Sequence, residues 1–302
     1  MKGARRGFTL VELMIGLVFT MGVAGTIHRL LLVNHWVGRS QVEHAGMQDN
    51  VRAGALITAH ELRDLGFDSV PALAELDINP AASSDVLVAQ PGRIRYRGTQ
   101  GFGFTCSTPT IAELRLRAAT YEGLRGPVAG VDSVMMFVEG NSELSADDAW
   151  VRAGVAATAT GNCTDGTPGI VVSTSWAAAG VGATAAARMV AGGPVRIFEV
   201  LELQYYAQGG QSWLGMRSVS RGENIQPLIG PLADSTGTAR GFVLGYLDQN
   251  DAPAAALNDI RTITIGLRGV TAQPVRPVSA GYRVVDTLSL TTRVALRNMR
   301  RP

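Results

Sequence analysis

Lysine is almost missing from this 302-residue chain: Lys2 is the only one. Beyond the first few positions, a Schiff-base or Ser-Lys mechanism therefore has no residue to use. Histidine is confined as well. His28, His35, His44 and His60 are the only four, and residues 61 to 302 contain none. A Ser-His-Asp triad or a histidine zinc site has no material there. Asp and Glu are scattered through the same region, and no spacing singles out a pair. Neither an enzyme nor a bound cofactor is expected. Charge of one sign is also lacking: 27 basic side chains face 25 acidic ones. Such a balance gives no general argument for nucleic acid or an anionic membrane surface. No proline interrupts the apolar stretch near the N-terminus, and cysteine occurs twice, as Cys106 and Cys163.

What is present begins with a long apolar run. A basic leader (Lys2, Arg5, Arg6) ends in Gly7, and Phe8 to Ile27 then carries one charge, Glu12. About 20 apolar residues suffice to span a bilayer at 1.5 Å per residue. An acidic residue at mid-bilayer costs roughly 2.5–3.5 kcal/mol, so an isolated one is usually kept for a function. A plain signal anchor explains the length and the basic flank. A secretory signal peptide would have a shorter apolar core, with its cleavage site on the far side. Neither gives a reason for Glu12, or for Gly7 and Phe8 at the junction.

The basic leader, Gly7-Phe8, Thr9-Leu10-Val11-Glu12 and the following apolar helix closely resemble the type III signal of type IV prepilins and pseudopilins. The resemblance implies cleavage between Gly7 and Phe8 by a prepilin peptidase, N-methylation of Phe8, and a role for Glu12 in pairing with the N-terminal amine of an incoming subunit. Loss of the leader would bring the formal charge to −1, with 24 basic side chains left. Many major pilins have a helix-breaking proline in this region, and this chain does not. The segment from Met47 to Ser69 (MQDNVRAGALITAHELRDLGFDS) resembles the amphipathic helix of PilW-type minor pilins and of J-type pseudopilins of type II secretion. Arg261–Gly269 and Leu288–Asn298 look like the closing strands of the same group, and 195–250 is similar more loosely. The middle, about 98–190, matches nothing.

The expected fold is α+β and type IV pilin-like: a leader over 1–7, one helix over 8–66 (transmembrane about 8–32), and a mainly antiparallel β head over 67–302. Within the helix, Met47, Val51, Ala55, Ala59, Leu62 and Leu65 recur at spacings of three or four, while Gln48, Asp49, Arg52, Glu61 and Asp64 take other faces. Gly66 is a natural stop. Residues 67–80, with Pro71 and Pro80, read as a turn-rich connection. Strands are expected at 86–89, 94–97, 113–117, 134–138, 170–174 and 195–206. Two later segments alternate with period two, around Ile263-Ile265-Leu267 and Leu288 to Leu296. The low-complexity stretch Ala177–Gly193 is either a loop or a short helix, with a soft subdivision near 180–194.

The remaining signals are weaker. Two cysteines in an exported head suggest a Cys106–Cys163 disulfide over two buried thiols. Asp248, Asn250 and Asp251 form a fragment of a calcium loop, but the same residues also make hairpin turns. No metal is expected. Arg93, Arg95 and Arg97 alternate along one strand face, beside Arg115 and Arg117. A charged, solvated edge is preferred there to phosphate binding. Trp150, Trp176 and Trp213 are expected in the core rather than as exposed aromatics.

Taken with the resemblance, this implies a minor type IV pilin, a structural subunit that helps initiate or cap assembly at the filament tip. Its implied partners are the prepilin peptidase, other minor and major pilins and the inner-membrane assembly platform. The chain would sit in the inner membrane with its head in the periplasm before reaching the pilus tip or cell surface. The alternatives are a J-type pseudopilin or a membrane-anchored periplasmic binding domain or enzyme. Neither nucleic acid nor a surface ligand is specified.

Overall fold

A computed structural model describes residues 9–66, 84–139, 149–176, 186–234, 240–275 and 284–296. Among the described residues, one long helix, α1 (Leu10–Arg63), is followed by thirteen strands. They are β1 (Val86–Gln90), β2 (Arg93–Phe104), β3 (Glu113–Arg117), β4 (Glu122–Gly123), β5 (Ser133–Val138), β6 (Ala149–Asn162) and β7 (Pro168–Ser175). After them come β8 (Pro194–Gln208), β9 (Gln211–Ser218), β10 (Gln226–Leu232), β11 (Phe242–Leu247), β12 (Thr262–Val270) and β13 (Thr287–Ala295). Every pairing in the ladder is antiparallel. The α+β architecture with a long N-terminal helix is therefore the observed one.

The 54 residues of α1 span about 80 Å at 1.5 Å per residue. Its two halves differ because their surfaces differ. From Leu10 to Val42 the large apolar side chains are exposed, among them Leu10, Val18, Phe19 and Leu31. This half contains a window long and apolar enough to cross a bilayer, none of it buried. From Met47 onward one stripe turns inward: Met47, Val51, Gly54, Ala55, Thr58 and Leu62 are buried. The stripe meets β10, β12 and β13. Close approach depends on two glycines. A Cβ on Gly54 would meet Ile229 Cδ1 at 2.4 Å, and one on Gly269 would meet Val51 Cγ2 at 2.4 Å. The helix stops where Gly66 adopts φ 93°, a conformation that glycine takes without steric cost.

β8 is the spine of the head. One edge pairs with β2 along its length, and the other with β5 and then β9. Two apolar cores lie on either side of its midpoint. The first joins α1 to β1, β2, the C-terminal half of β8 and β9 to β13, with Val51, Leu62, Ile94, Tyr96, Leu203 and Ile265 at its centre. The second contains Leu114, Leu116, Val134, Val151, Val172 and Ile197.

Around that second core the strands close into a ring in the order β8-β5-β6-β7-β3-β2. The last joint is a bridge between Thr105 and Leu116, with the Cys106 amide donating to the Arg115 carbonyl at 2.9 Å. Closure removes the unpaired edges that a small sheet would otherwise expose. The stretch at about 98–190, for which the sequence offers no resemblance, thus supplies most of this second core between β2 and β8. Cys106 and Cys163 are bonded to each other at the seam of this ring. Of the low-complexity stretch, 177–185 lies outside the described residues, and 186–188 make one helical turn.

Candidate functional site

The site singled out by sequence is the N-terminal end of α1. Gly7 and Phe8 lie outside the described residues, as do the leader and the connection at 67–80. Glu12 is described, and its side chain turns back along the chain. Glu12 Oε2 accepts from the Thr9 amide at 2.9 Å and from the Thr9 hydroxyl at 3.0 Å. The Thr9 hydroxyl oxygen in turn accepts from the Glu12 amide. Thr9 and Glu12 thus form a reciprocal capping box, which satisfies two amides left over at the start of any helix. Thr-x-x-Glu before an apolar run is a sequence signature for this arrangement. Thr9-Leu10-Val11-Glu12 carries it, a signal separate from the charge.

Two features follow for the chemistry of this end. The carboxylate sits beside the Thr9 amide, where the positive end of the helix dipole also lies. The surrounding surface is apolar and open: Leu10, Val11, Leu13, Met14 and Ile15 are all exposed. Gly16, Gly22 and Gly25 have open space where a Cβ would stand, so another helix can approach closely there.

The arginines of β2 require a correction. They do not form a solvated edge, because β2 lies between β8 on one side and β1 and β4 on the other. Arg97 is 1% exposed; it donates to the Ser84 carbonyl at 2.9 Å and lies over the Phe198 ring. Arg93 and Arg95 converge on the buried Glu202. The reason lies in neighbouring strands: Asp85 and Glu202 supply carboxylates that draw the guanidiniums inward, a pairing that strand periodicity alone does not reveal. Arg115 and Arg117 sit apart on β3, paired with Glu113 and Asp165.

Asp85 is the residue that sequence reasoning missed. Fully buried, it accepts from the Gly66 amide at 2.9 Å and from Arg196 Nη1 at 2.9 Å through both oxygens. It ties the end of α1 to the spine of the head. Nothing in SSDVLVAQ marks this aspartate as different from a turn residue.

The calcium candidates are engaged in turn chemistry. Asp248 Oδ1 accepts from the amides of Asn250 and Ala252, and Asp251 takes a φ of 60°. No cluster of three or more His, Cys, Asp or Glu suited to a metal ion occurs among the described residues. The three tryptophans are half-buried rather than in the core. Trp176 donates to the Ile111 carbonyl, and Trp150 stacks edge-on against Phe137.

No protein-family model, curated protein or solved structure matches this chain.

Proposed function

We propose that this chain is a minor type IV pilin, a non-enzymatic subunit that helps initiate or cap a filament at its tip. One observation carries the reading. A single helix exposes an apolar half with one capped carboxylate at its start, then buries a stripe of its second half under an antiparallel β head. An apolar surface of this length needs lipid before assembly and neighbouring helices after it. In that exchange Glu12 meets the amine of an incoming subunit's Phe8. That interaction competes with the Thr9 bonds that hold the carboxylate in a lone chain. Cleavage after Gly7 by a prepilin peptidase and methylation of Phe8 precede the step. The head then faces the periplasm, and later the cell surface.

The test is mass spectrometry of the N-terminus, performed separately on sheared surface filaments and on cell envelopes. N-methylated Phe8 in the sheared fraction is the expected result. The same terminus found only in envelopes would favour a J-type pseudopilin of type II secretion. An intact Met1 or Lys2 terminus, in cells with an active prepilin peptidase, would defeat both and leave a membrane-anchored periplasmic domain.

A further inference from the structure

The face of β2, β8 and β9 turned away from α1 carries a charge imbalance that the fold does not require. On the inner face of these strands, Ile94, Tyr96, Leu201, Leu203, Leu214 and Met216 pack into the core with the helix. Strand alternation sends their neighbours outward. Arg95, Glu202 and Arg217 lie opposite one another across the three strands, and Arg93 is one row further along β2. Three guanidiniums therefore meet one carboxylate.

The hydrogen-bond count on that carboxylate is already full. Glu202 Oε2 accepts from Arg93 Nε at 2.8 Å and Arg95 Nε at 2.9 Å, with Arg95 Nη2 also 2.8 Å from it; Oε1 accepts from Arg217 Nε at 2.8 Å and Nη2 at 2.6 Å. Glu202 is 0% exposed, while the arginine side chains are 31%, 28% and 33% exposed. Burial pushes the Glu202 carboxyl up, but Arg217 and Arg95 outweigh it and hold it below the ordinary range. The carboxylate therefore stays charged at neutral pH, and the cluster carries two positive charges in excess. At another cluster in the head the numbers match: Arg125 and Arg221 meet Asp132 and Glu199.

We propose that Arg93, Arg95 and Arg217 form a binding site for a terminal phosphate, either free orthophosphate or a phosphate monoester. Charge and geometry select this ligand over other anions. A terminal phosphate carries about −1.5 to −2 at pH 7 and offers three acceptor oxygens, one for each guanidinium. A carboxylate brings one charge and two oxygens and leaves one arginine unserved. Guanidinium forks suit both groups geometrically, so the number of oxygens and the charge make the choice. Glu202 holds the three guanidiniums in place before the ligand arrives, which lowers the ordering cost of binding.

Isothermal titration of the full-length protein in detergent at low salt tests the proposal. Orthophosphate and glycerol phosphate serve as separate probes, with acetate for comparison. Saturable binding of orthophosphate is expected, with little heat from acetate. Affinity should fall as pH drops through about 6, where the dianion takes up a proton. If glycerol phosphate binds as well as orthophosphate, the site takes monoesters; if it binds far more weakly, the site takes the free ion. Arg93→Gln and Arg217→Gln should each weaken binding at least about tenfold, the size of one charge-assisted hydrogen bond. Each variant leaves Glu202 two arginine partners, and its melting curve checks the fold. Arg293→Gln, at a distant exposed position, should bind as the parent does. Absence of phosphate binding, acetate binding of equal strength, or equal loss in all three variants would overturn the proposal.

Discussion

At Glu12, alanine and glutamine ask different questions. Alanine removes both the charge and the capping acceptor; glutamine removes the charge but keeps an oxygen for the Thr9 amide, since Gln also serves in a capping box. Under the proposed function both variants are processed after Gly7 and both incorporate poorly into filaments, because the missing group is a charge that meets an amine. Normal incorporation of Glu12→Gln, with failure of Glu12→Ala, would reduce Glu12 to a helix cap. Quantitative immunoblotting of sheared filaments distinguishes the two outcomes. A second residue-scale prediction concerns His44. Its Nδ1 faces the Ser40 carbonyl at 2.7 Å, and its Nε2 faces Asp286 Oδ2 at 2.7 Å. Both neighbours are acceptors, so both ring nitrogens must carry protons for both bonds to form. The Ser40 carbonyl and then Asp286 raise the histidine above its ordinary value, and His44 lowers Asp286 below its own. The sign follows from linkage. The His44 contribution is complete below about pH 6.5, its unfolded value, and is lost as pH rises through the raised folded value. The Asp286 contribution is lost only as pH falls through its lowered one. Both groups are over a third exposed, so screening keeps the pair near about 0.5 kcal/mol. Titration of the His44 ring by NMR should give a value above the ordinary histidine value of about 6.5, and Asp286→Asn should bring it down. An unshifted His44 would remove the clamp between α1 and the lead into β13.

Among the elements, the joint between α1 and the head depends on close packing and one buried acid. Gly54→Leu must displace Ile229 and Leu267, and overpacking of this kind costs about 1–3 kcal/mol. Asp85→Asn strips the carboxylate from Arg196 and weakens the tie to Gly66. Breaking a buried pair from one side costs about 3–5 kcal/mol, so it should lower the melting temperature more than Gly54→Leu does. The reverse order would mean that packing, not the ionic tie, holds the joint. The elements also show what could be read from residues alone. The apolar stripe from Met47 to Leu65 and the stop at Gly66 were legible, because helical period and glycine chemistry are local. So was β12, whose Ile263, Ile265 and Leu267 are buried in strict alternation. β6 was not legible. AWVRAGVAATATGN is rich in Ala and Gly, which have little strand preference of their own, and the ring around it decides its conformation. β9 was missed despite a usable sign, the Gly209-Gly210 turn with φ of 63° and 76°, which is hairpin chemistry. Arg97 and Asp85 were illegible for a different reason. Their burial depends on partners more than ten residues away, and no local pattern carries that.

For the whole molecule, β8 is the one strand that contributes buried side chains to both cores, so stability need not be uniform across the head. The disulfide belongs to one of them. Cys106 follows β2 at the seam with β3, and Cys163 sits at the turn between β6 and β7. Its sequence separation of 57 closes a long loop, and the chain-entropy model assigns such a loop about 4 kcal/mol. Reduction, or the double change Cys106→Ser with Cys163→Ser, frees β3 to part from β2 at the Thr105–Leu116 bridge. The first core keeps its helix and its pairings of β8 with β2 and β9, none of which involves either cysteine. Hydrogen exchange should therefore speed up in β3, β6 and β7 while the buried half of α1 and β12 retain their protection, as expected for separate cooperative units. A uniform gain in exchange through both cores would show that β8 couples them into one unit. In that case the ring would be part of what keeps α1 seated under the head, and loss of the disulfide should then release the helix as well.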